Sequence, residues 1–211
     1  MFHRNKSVGL SASEERLERL ISDRLKPNSD KEFIDRRIWD LFGEEWCVMF
    51  TDLSGFSRNV AKFGIIHFLQ TIYESEQLLV PVIADHDGIL LKTEGDSFLV
   101  IFRKVDKALH SAIDMQRLLK KHNVDKPPEE QVLLCVGLGY GQVLRLGDSE
   151  VYGAEVNAAG KLGEDTAGPW QILVTEAVKT RAHDLDGISF KEIADVPPGA
   201  DKAYEVIYEI K

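Results

Sequence analysis

Two acidic residues, Asp52 and Asp96, each stand where an apolar run gives way to a glycine-containing turn. Asp52 closes the run that begins at Trp46 and is followed by Leu53-Ser54-Gly55-Phe56. Asp96 ends the segment Thr93-Glu94-Gly95-Asp96, which separates two further apolar runs. Two carboxylates at the tips of neighbouring strands, beside the N–H groups of a turn, would make a divalent-metal site that also receives phosphates. Mg²⁺ takes one or two carboxylates and fills its shell with water and phosphate oxygens. The main chain of Leu53, Ser54, Gly55, Phe56 and Ser57 would then offer N–H groups to a triphosphate. Singly, an aspartate at a strand end is more often a turn former or a helix cap; only the pair carries the metal reading.

Lys92, four residues before Asp96, is either a solvated strand-edge lysine or a donor to the edge of a base. Asn157 and Lys161 lie in Val156-Asn157-Ala158-Ala159-Gly160-Lys161-Leu162. At i and i+4 of a helix they share a face. They form either a solvated polar stripe or a brace for a ribose and a phosphoryl group.

The elements that must hold these residues follow from the apolar pattern. Residues 1–45 are charge-rich and read as a helical extension, a packing arm or dimer contact. One helix starts near Ser11 with Leu17, Leu20, Ile21 and Leu25 at helical spacing, and a second runs from Lys31 to Phe42. From Trp46 the order becomes strand (46–52), long helix (64–84, with Pro81 predicting a kink or early end), hairpin (88–92 and 97–102) and helix (105–122). A strand pair (131–138 and 142–146) joined through Gly139-Tyr140-Gly141 follows, then a helix (153–166), a strand (170–174), a short helix and two last strands. This is an α+β plan, a ferredoxin-like βαββαβ core with C-terminal additions, expected as an antiparallel sheet covered by helices on one face.

The 211 residues suffice for one domain with a sizeable core plus an appendage, divided at 1–45 and 46–211. A net charge of -9 argues against broad nucleic-acid binding, which needs a basic surface, but not against a nucleotide, whose charge metal ions can offset. Cys47 and Cys135 lie in apolar strands and read as buried free thiols. The start lacks the apolar core of a signal peptide and no run is long enough to span a bilayer, so a cytoplasmic setting is the expectation.

The stretch from about Trp46 to Ile210 resembles the class III nucleotidyl cyclase catalytic domain. Phe50-Thr51-Asp52-Leu53-Ser54-Gly55-Phe56 is similar to that family's first metal motif, and Lys92-Thr93-Glu94-Gly95-Asp96 to its base-reading lysine followed by the second metal aspartate. Glu150-Val151-Tyr152-Gly153-Ala154-Glu155-Val156-Asn157 through Leu162 resembles its segment D-x-x-G-x-x-V-N-x-A-x-R. Three matches in order are far more specific than any one. The resemblance implies an adenylate cyclase that makes 3′,5′-cyclic AMP and pyrophosphate. Asp52, Asp96 and the Leu53 carbonyl would hold two Mg²⁺ or Mn²⁺ ions. Lys92, Glu150 and Val151 would meet the base, Asn157 would orient the ribose, and Lys161 would serve in the transition state. It also implies a head-to-tail homodimer whose shared cleft takes metal residues from one subunit and base and ribose residues from the other.

The departures are equally specific. Lys161 stands where the family has arginine and lacks its planar fork. Glu150 replaces an aspartate, Cys135 an arginine that contacts phosphate, and Gly139 a histidine. Lys202 is out of place for the family's C-terminal phosphate lysine. Two alternatives therefore stand beside ATP cyclisation: a cyclase for GTP or a pyrimidine nucleotide, and a catalytically silent nucleotide-binding dimerisation module.

Overall fold

The computed structural model describes residues 12–54, 63–182 and 185–209. Its centre is one eight-stranded sheet in the order β2-β3-β1-β4-β6-β8-β7, with β5 paired to β4. The strands are β1 (Gly43–Leu53), β2 (Ile89–Glu94), β3 (Ser97–Phe102), β4 (Leu134–Leu146), β5 (Glu150–Tyr152), β6 (Ile172–Thr175), β7 (Ile188–Ile193) and β8 (Ala203–Tyr208). Every pairing is antiparallel except β4 with β6. The helices are α1 (Ala12–Arg24), α2 (Lys31–Phe42), α3 (Ile65–Asp85), α4 (Val105–His122), α5 (Ala154–Gly160) and α6 (Glu176–Arg181). None of them is long and apolar enough to cross a membrane.

β1 is central because it is apolar on both sides. Its alternate residues Cys47 and Met49 pack with α3 and α4 through Leu79, Ile83, Leu109 and Met115, while Trp46 and Val48 face Val156 and Ala159 of α5. Helices thus cover both faces, not one as the sequence plan suggested. The small residues of α5 explain why: that helix can lie almost on the sheet.

The same contact corrects the reading of β4. Gly139-Tyr140-Gly141 is no turn; β4 runs unbroken from Leu134 to Leu146 beside β1, and its hairpin partner is the short β5. A Cβ at Gly137 would lie 2.2 Å from the Ala159 carbonyl oxygen, and one at Gly139 2.3 Å from that of Glu155. Glycine serves here for close approach of a helix backbone, not for a bend. Residues 131–133 precede the strand; there the Asn123 side chain takes a strand partner's place, donating to Val132 O at 2.8 Å and accepting from Val132 N at 3.0 Å. α3 runs through Pro81 to Asp85, held by buried Leu79 and Ile83 on either side of it.

The N-terminal helices form a pair against the far end of β4. Leu20, Ile34, Ile38 and Phe42 bury themselves with Leu146. Arg24 bridges Asp35 through two hydrogen bonds of 2.6 and 3.0 Å, and Asp30 caps α2 by accepting from Phe33 N at 2.9 Å. Cys47 and Cys135 are buried free thiols.

Candidate active site

β1 carries Asp52 to its end between β3 and β4. The register pairs Thr51 with Phe98, so one step further sets Asp52 beside Ser97, whose Oγ donates to Asp52 Oδ1 at 3.2 Å. Asp96 immediately precedes Ser97 in the β2–β3 turn, where Gly95 adopts φ 61°, the left-handed region that favours glycine. Both carboxylates are half-buried. Burial, and then the negative charge of Asp96, push the Asp52 pKa up to about 6. Burial also raises Asp96, opposed by hydrogen bonds from its own backbone, from Leu53 and from Asp52. Asp96 Oδ2 is buried with no hydrogen-bond partner.

Two adjoining acids that resist ionisation, one with an orphaned oxygen, make a place short of positive charge. Among the described residues no group of three or more His, Cys, Asp or Glu is arranged to hold a metal. The donors the described residues offer a cation here are the two carboxylates, the sparse oxygen set of a hard ion that keeps water or phosphate ligands, and Leu53 meets both of them through its backbone N–H. Gly55, Phe56 and Ser57, expected to line a triphosphate, lie outside the described residues.

A cavity of about 270 Å³ opens beside this corner, and Phe50, Lys92, Ser97, Glu150, Asn157 and Glu164 are among the residues lining it. A register shift in β2 between Leu90 and Lys92 re-aims Lys92. Its Nζ lies 3.0 Å from Glu150 Oε1 and 3.0 Å from Glu94 Oε1, and hydrogen bonds to these two acids raise its pKa. β5 folds back on β4, with Glu150 opposite Leu146, and so delivers Glu150 and Val151 to the same wall. Asn157 joins them from α5. Lys92, Glu150, Val151 and Asn157, more than 60 residues apart at the extremes, thus meet in one hollow. Its polar edge presents a donor next to an acceptor, which matches the edge of a base.

Lys161 does not line this hollow. α5 gives way at Lys161–Thr166 to a π-helix, and there Lys161 forms an exposed ion pair with Asp165, which raises its pKa. Glu164, in that same turn, lines the cavity. Cys135 is opposite Asp52 in the β1–β4 register, and its thiol is pushed up to about 12 by burial and then by Asp52. It adds no charge to the corner. Gly139 has no room for any side chain against α5. Lys202 lies 3.8 Å from Glu192, away from the cavity.

Sequence reasoning missed Ser97 and Glu164. Ser97 had a signal, its place directly after Asp96 at the start of a strand. Glu164 had one too, its place seven residues after Asn157, two α-helical turns along the same face. A larger, open hollow of about 440 Å³, lined by Glu155, Thr175 and Arg181 among others, contains none of the metal, base or ribose residues expected from the sequence.

Residues 43–202 match the family described as the adenylate and guanylate cyclase catalytic domain, and the chain belongs to that family. It is 30% identical over 131 residues to a Myxococcus xanthus protein named as a serine/threonine-protein kinase, covering 62% of this chain and 16% of that one. It is 26% identical over 143 residues to a Rhizobium meliloti protein with a provisional adenylate cyclase name, covering 68% of this chain and 24% of that one. The chain thus spans less than a quarter of the length of either. Solved structures share the fold. An adenylate/guanylate cyclase/hydrolase from Silicibacter pomeroyi superposes with TM-score 0.65 at 23% identity, over 79% of this chain and 98% of that one. A guanylate cyclase domain from Catenaria anguillulae in complex with GTP gives 0.65 at 17%, over 79% and 97%. An adenylyl cyclase from P. aeruginosa gives 0.63 at 18%, over 79% and 95%.

Proposed function

We propose that the chain converts ATP to 3′,5′-cyclic AMP and pyrophosphate at a site shared by two copies of itself. The observation that carries this reading is the pairing of Lys92 with Glu150 in the cavity that also holds Asn157. Residues 46–211 form the catalytic domain in this reading, and residues 1–45 are its appendage.

Lys92 donates to adenine N1, and Glu150 accepts from the exocyclic amino group while Val151 packs on the ring. Asn157 orients the ribose so that its 3′-oxygen faces the α-phosphorus in line, and pyrophosphate leaves without a covalent enzyme intermediate. Asp52, Asp96 and the Leu53 carbonyl would hold Mg²⁺ or Mn²⁺. Bound there, the ions supply Lewis-acid chemistry, acidifying the ribose hydroxyl and neutralising the phosphates. The cavity wall itself carries Lys92 against Glu94, Glu150 and Glu164, an acidic balance that suits the nucleoside half of the substrate better than its phosphates. This favours the head-to-tail homodimer, in which the acid pair of one subunit faces the cavity of the other.

A second reading, nucleotide binding without turnover, draws on Lys161, which stands off the cavity in its pair with Asp165. Purified protein assayed with Mn²⁺ and each of the four nucleoside triphosphates separates the two. Cyclic AMP as the main product supports the first reading, another cyclic nucleotide replaces the base assignment, and no product with measurable binding favours the second. Mixing inactive Asp52→Ala with inactive Asn157→Ala protein should restore up to about a quarter of wild-type activity, since random pairing makes half the dimers mixed and each mixed dimer keeps one intact site. No rescue, with mixing confirmed, removes the shared site.

A further inference from the structure

We propose that Glu164 contacts the substrate, its carboxylate accepting a hydrogen bond from a ribose hydroxyl of the nucleotide whose base lies against Lys92 and Glu150. The inference rests on the reading of this cavity as the nucleoside half of a nucleotide site.

The first support is helical geometry. In an uninterrupted α-helix, Asn157 and Lys161 share a face and the residue seven beyond Asn157 falls in line with it two turns away. Here the α-helix stops at Gly160 and the next turn is a π-helix. Lys161 is left outside on Asp165, while Asn157 and Glu164 both line the cavity. π-helical turns within helices are frequently found at functional sites.

The second is the chemistry of the wall. Among the described residues lining the cavity Lys92 is the only cation, and Glu94 and Glu150 already hold it. Among the described lining residues Glu164 therefore has no lysine or arginine of its own; Lys161 acts on it only from outside the hollow. An ionised carboxylate only accepts hydrogen bonds, and it repels phosphate. Apart from the base edge taken up by Lys92 and Glu150, a nucleotide offers donors only at its ribose hydroxyls.

The third is placement. Ser97, which donates to Asp52 Oδ1 at 3.2 Å, lines the same cavity as Glu164, so that carboxylate shares the hollow with the start of β3. Burial, then the charges of Asp165 and Glu94, raise the Glu164 pKa. A hydroxyl donor would relieve that cost.

The test compares wild type, Glu164→Gln and Glu164→Ala with three ligands: ATP, 3′-deoxy-ATP and 2′,3′-dideoxy-ATP. The two deoxy compounds cannot cyclise, and their equilibrium dissociation constants are measured directly. Glu164→Ala should lower kcat/KM for ATP by about 10- to 100-fold, the range for loss of a hydrogen bond to a charged group, and Glu164→Gln by less. The affinity for 2′,3′-dideoxy-ATP should change less than about threefold. Loss of affinity for 3′-deoxy-ATP assigns the contact to the 2′-hydroxyl; its retention assigns it to the 3′-hydroxyl. An equal loss with ATP and the dideoxy compound, or no loss with either, overturns the proposal and leaves the cyclase reading standing. Should wild type bind ATP without forming cyclic product, ATP becomes an equilibrium ligand, the same comparison still decides Glu164, and the cyclase reading falls. Wild type that binds none of the three overturns both.

Discussion

Asn157 lines the cavity, while Lys161, four residues on along the same helical rod, directs its ammonium to Asp165. The pair with Asp165 is exposed on both sides, with side-chain accessibilities of 59% and 57%. Exposed pairs of this kind contribute little to stability, so substrate phosphates could draw Lys161 away at little cost. Asp165→Asn should therefore raise kcat by no more than about fivefold, the factor that corresponds to such a pair. Lys161→Arg should match or exceed wild-type kcat, and Lys161→Ala should lower kcat at least about tenfold. Steady-state kinetics with Mn²⁺ and ATP check all three. An unchanged kcat in Lys161→Ala would remove it from the chemistry.

The contact between Lys92 and Glu150 makes their effects interdependent. Lys92→Ala leaves Glu94 and Glu150 without the cation between them, so part of its cost is like-charge repulsion. The KM for ATP should rise about tenfold or more in either single alanine variant, as expected for losing a charged hydrogen bond. The double variant should cost clearly less than the sum, because the two residues touch. Glu150→Gln keeps an acceptor and adds donors, so its preference among the four triphosphates should weaken. Strict additivity of Lys92→Ala and Glu150→Ala would show that the two do not read the base together.

Asp52 has a folded-state pKa of about 6, above its ordinary 3.8. A raised carboxyl favours the protonated folded form, so its stabilising contribution is complete below the ordinary value and is lost as pH rises through about 6. Without divalent ions the protein should lose stability between about pH 4 and 7 from this source, on the order of 1 kcal/mol once solvent screening of the half-buried group is allowed for. Asp52→Asn should melt higher than wild type at pH 8 in chelator, and Mg²⁺ should raise the melting temperature of wild type more than that of the variant. Equal Mg²⁺ shifts in both proteins would detach Asp52 from the metal.

Gly137 admits α5 to the sheet, since a Cβ there would meet Ala159 O at 2.2 Å and Gly163 N at 2.3 Å. Both obstacles are backbone and cannot swing aside. Gly137→Ala should destabilise by about 3 kcal/mol or more, which lowers the melting temperature by roughly 6–12 °C for a domain of this size. A thermal melt measures it. Ala at Gly95 would act differently, through its φ of 61° and not through a clash, because nothing lies within 4 Å of its Cβ position.

Much of the molecule could be read before any fold was known. Apolar runs at Trp46, Ser97 and Leu134 mark strands because they bury both faces, and the helical spacing of Ala108, Leu109, Ala112 and Met115 marks α4 because only one face meets the core. Asp52 and Asp96 stood out since a carboxylate at the end of an apolar strand needs a reason, and two need a shared one. Other outcomes depend on contacts between segments far apart in the chain. Gly139-Tyr140-Gly141 has the local composition of a turn; only the arrival of α5 shows that its glycines make room for a backbone. Pro81 should interrupt a lone helix, yet the packing of Leu79 and Ile83 carries α3 past it. Spacing alone puts Lys161 and Glu164 alike in line with Asn157, whereas the folded chain keeps Glu164 at the cavity and turns Lys161 out to Asp165. Local residue types thus determined which chemistry is available and which elements form. Tertiary packing decided which side chains share the cavity, because helix rotation and strand register are settled by long-range burial that no short stretch of sequence contains.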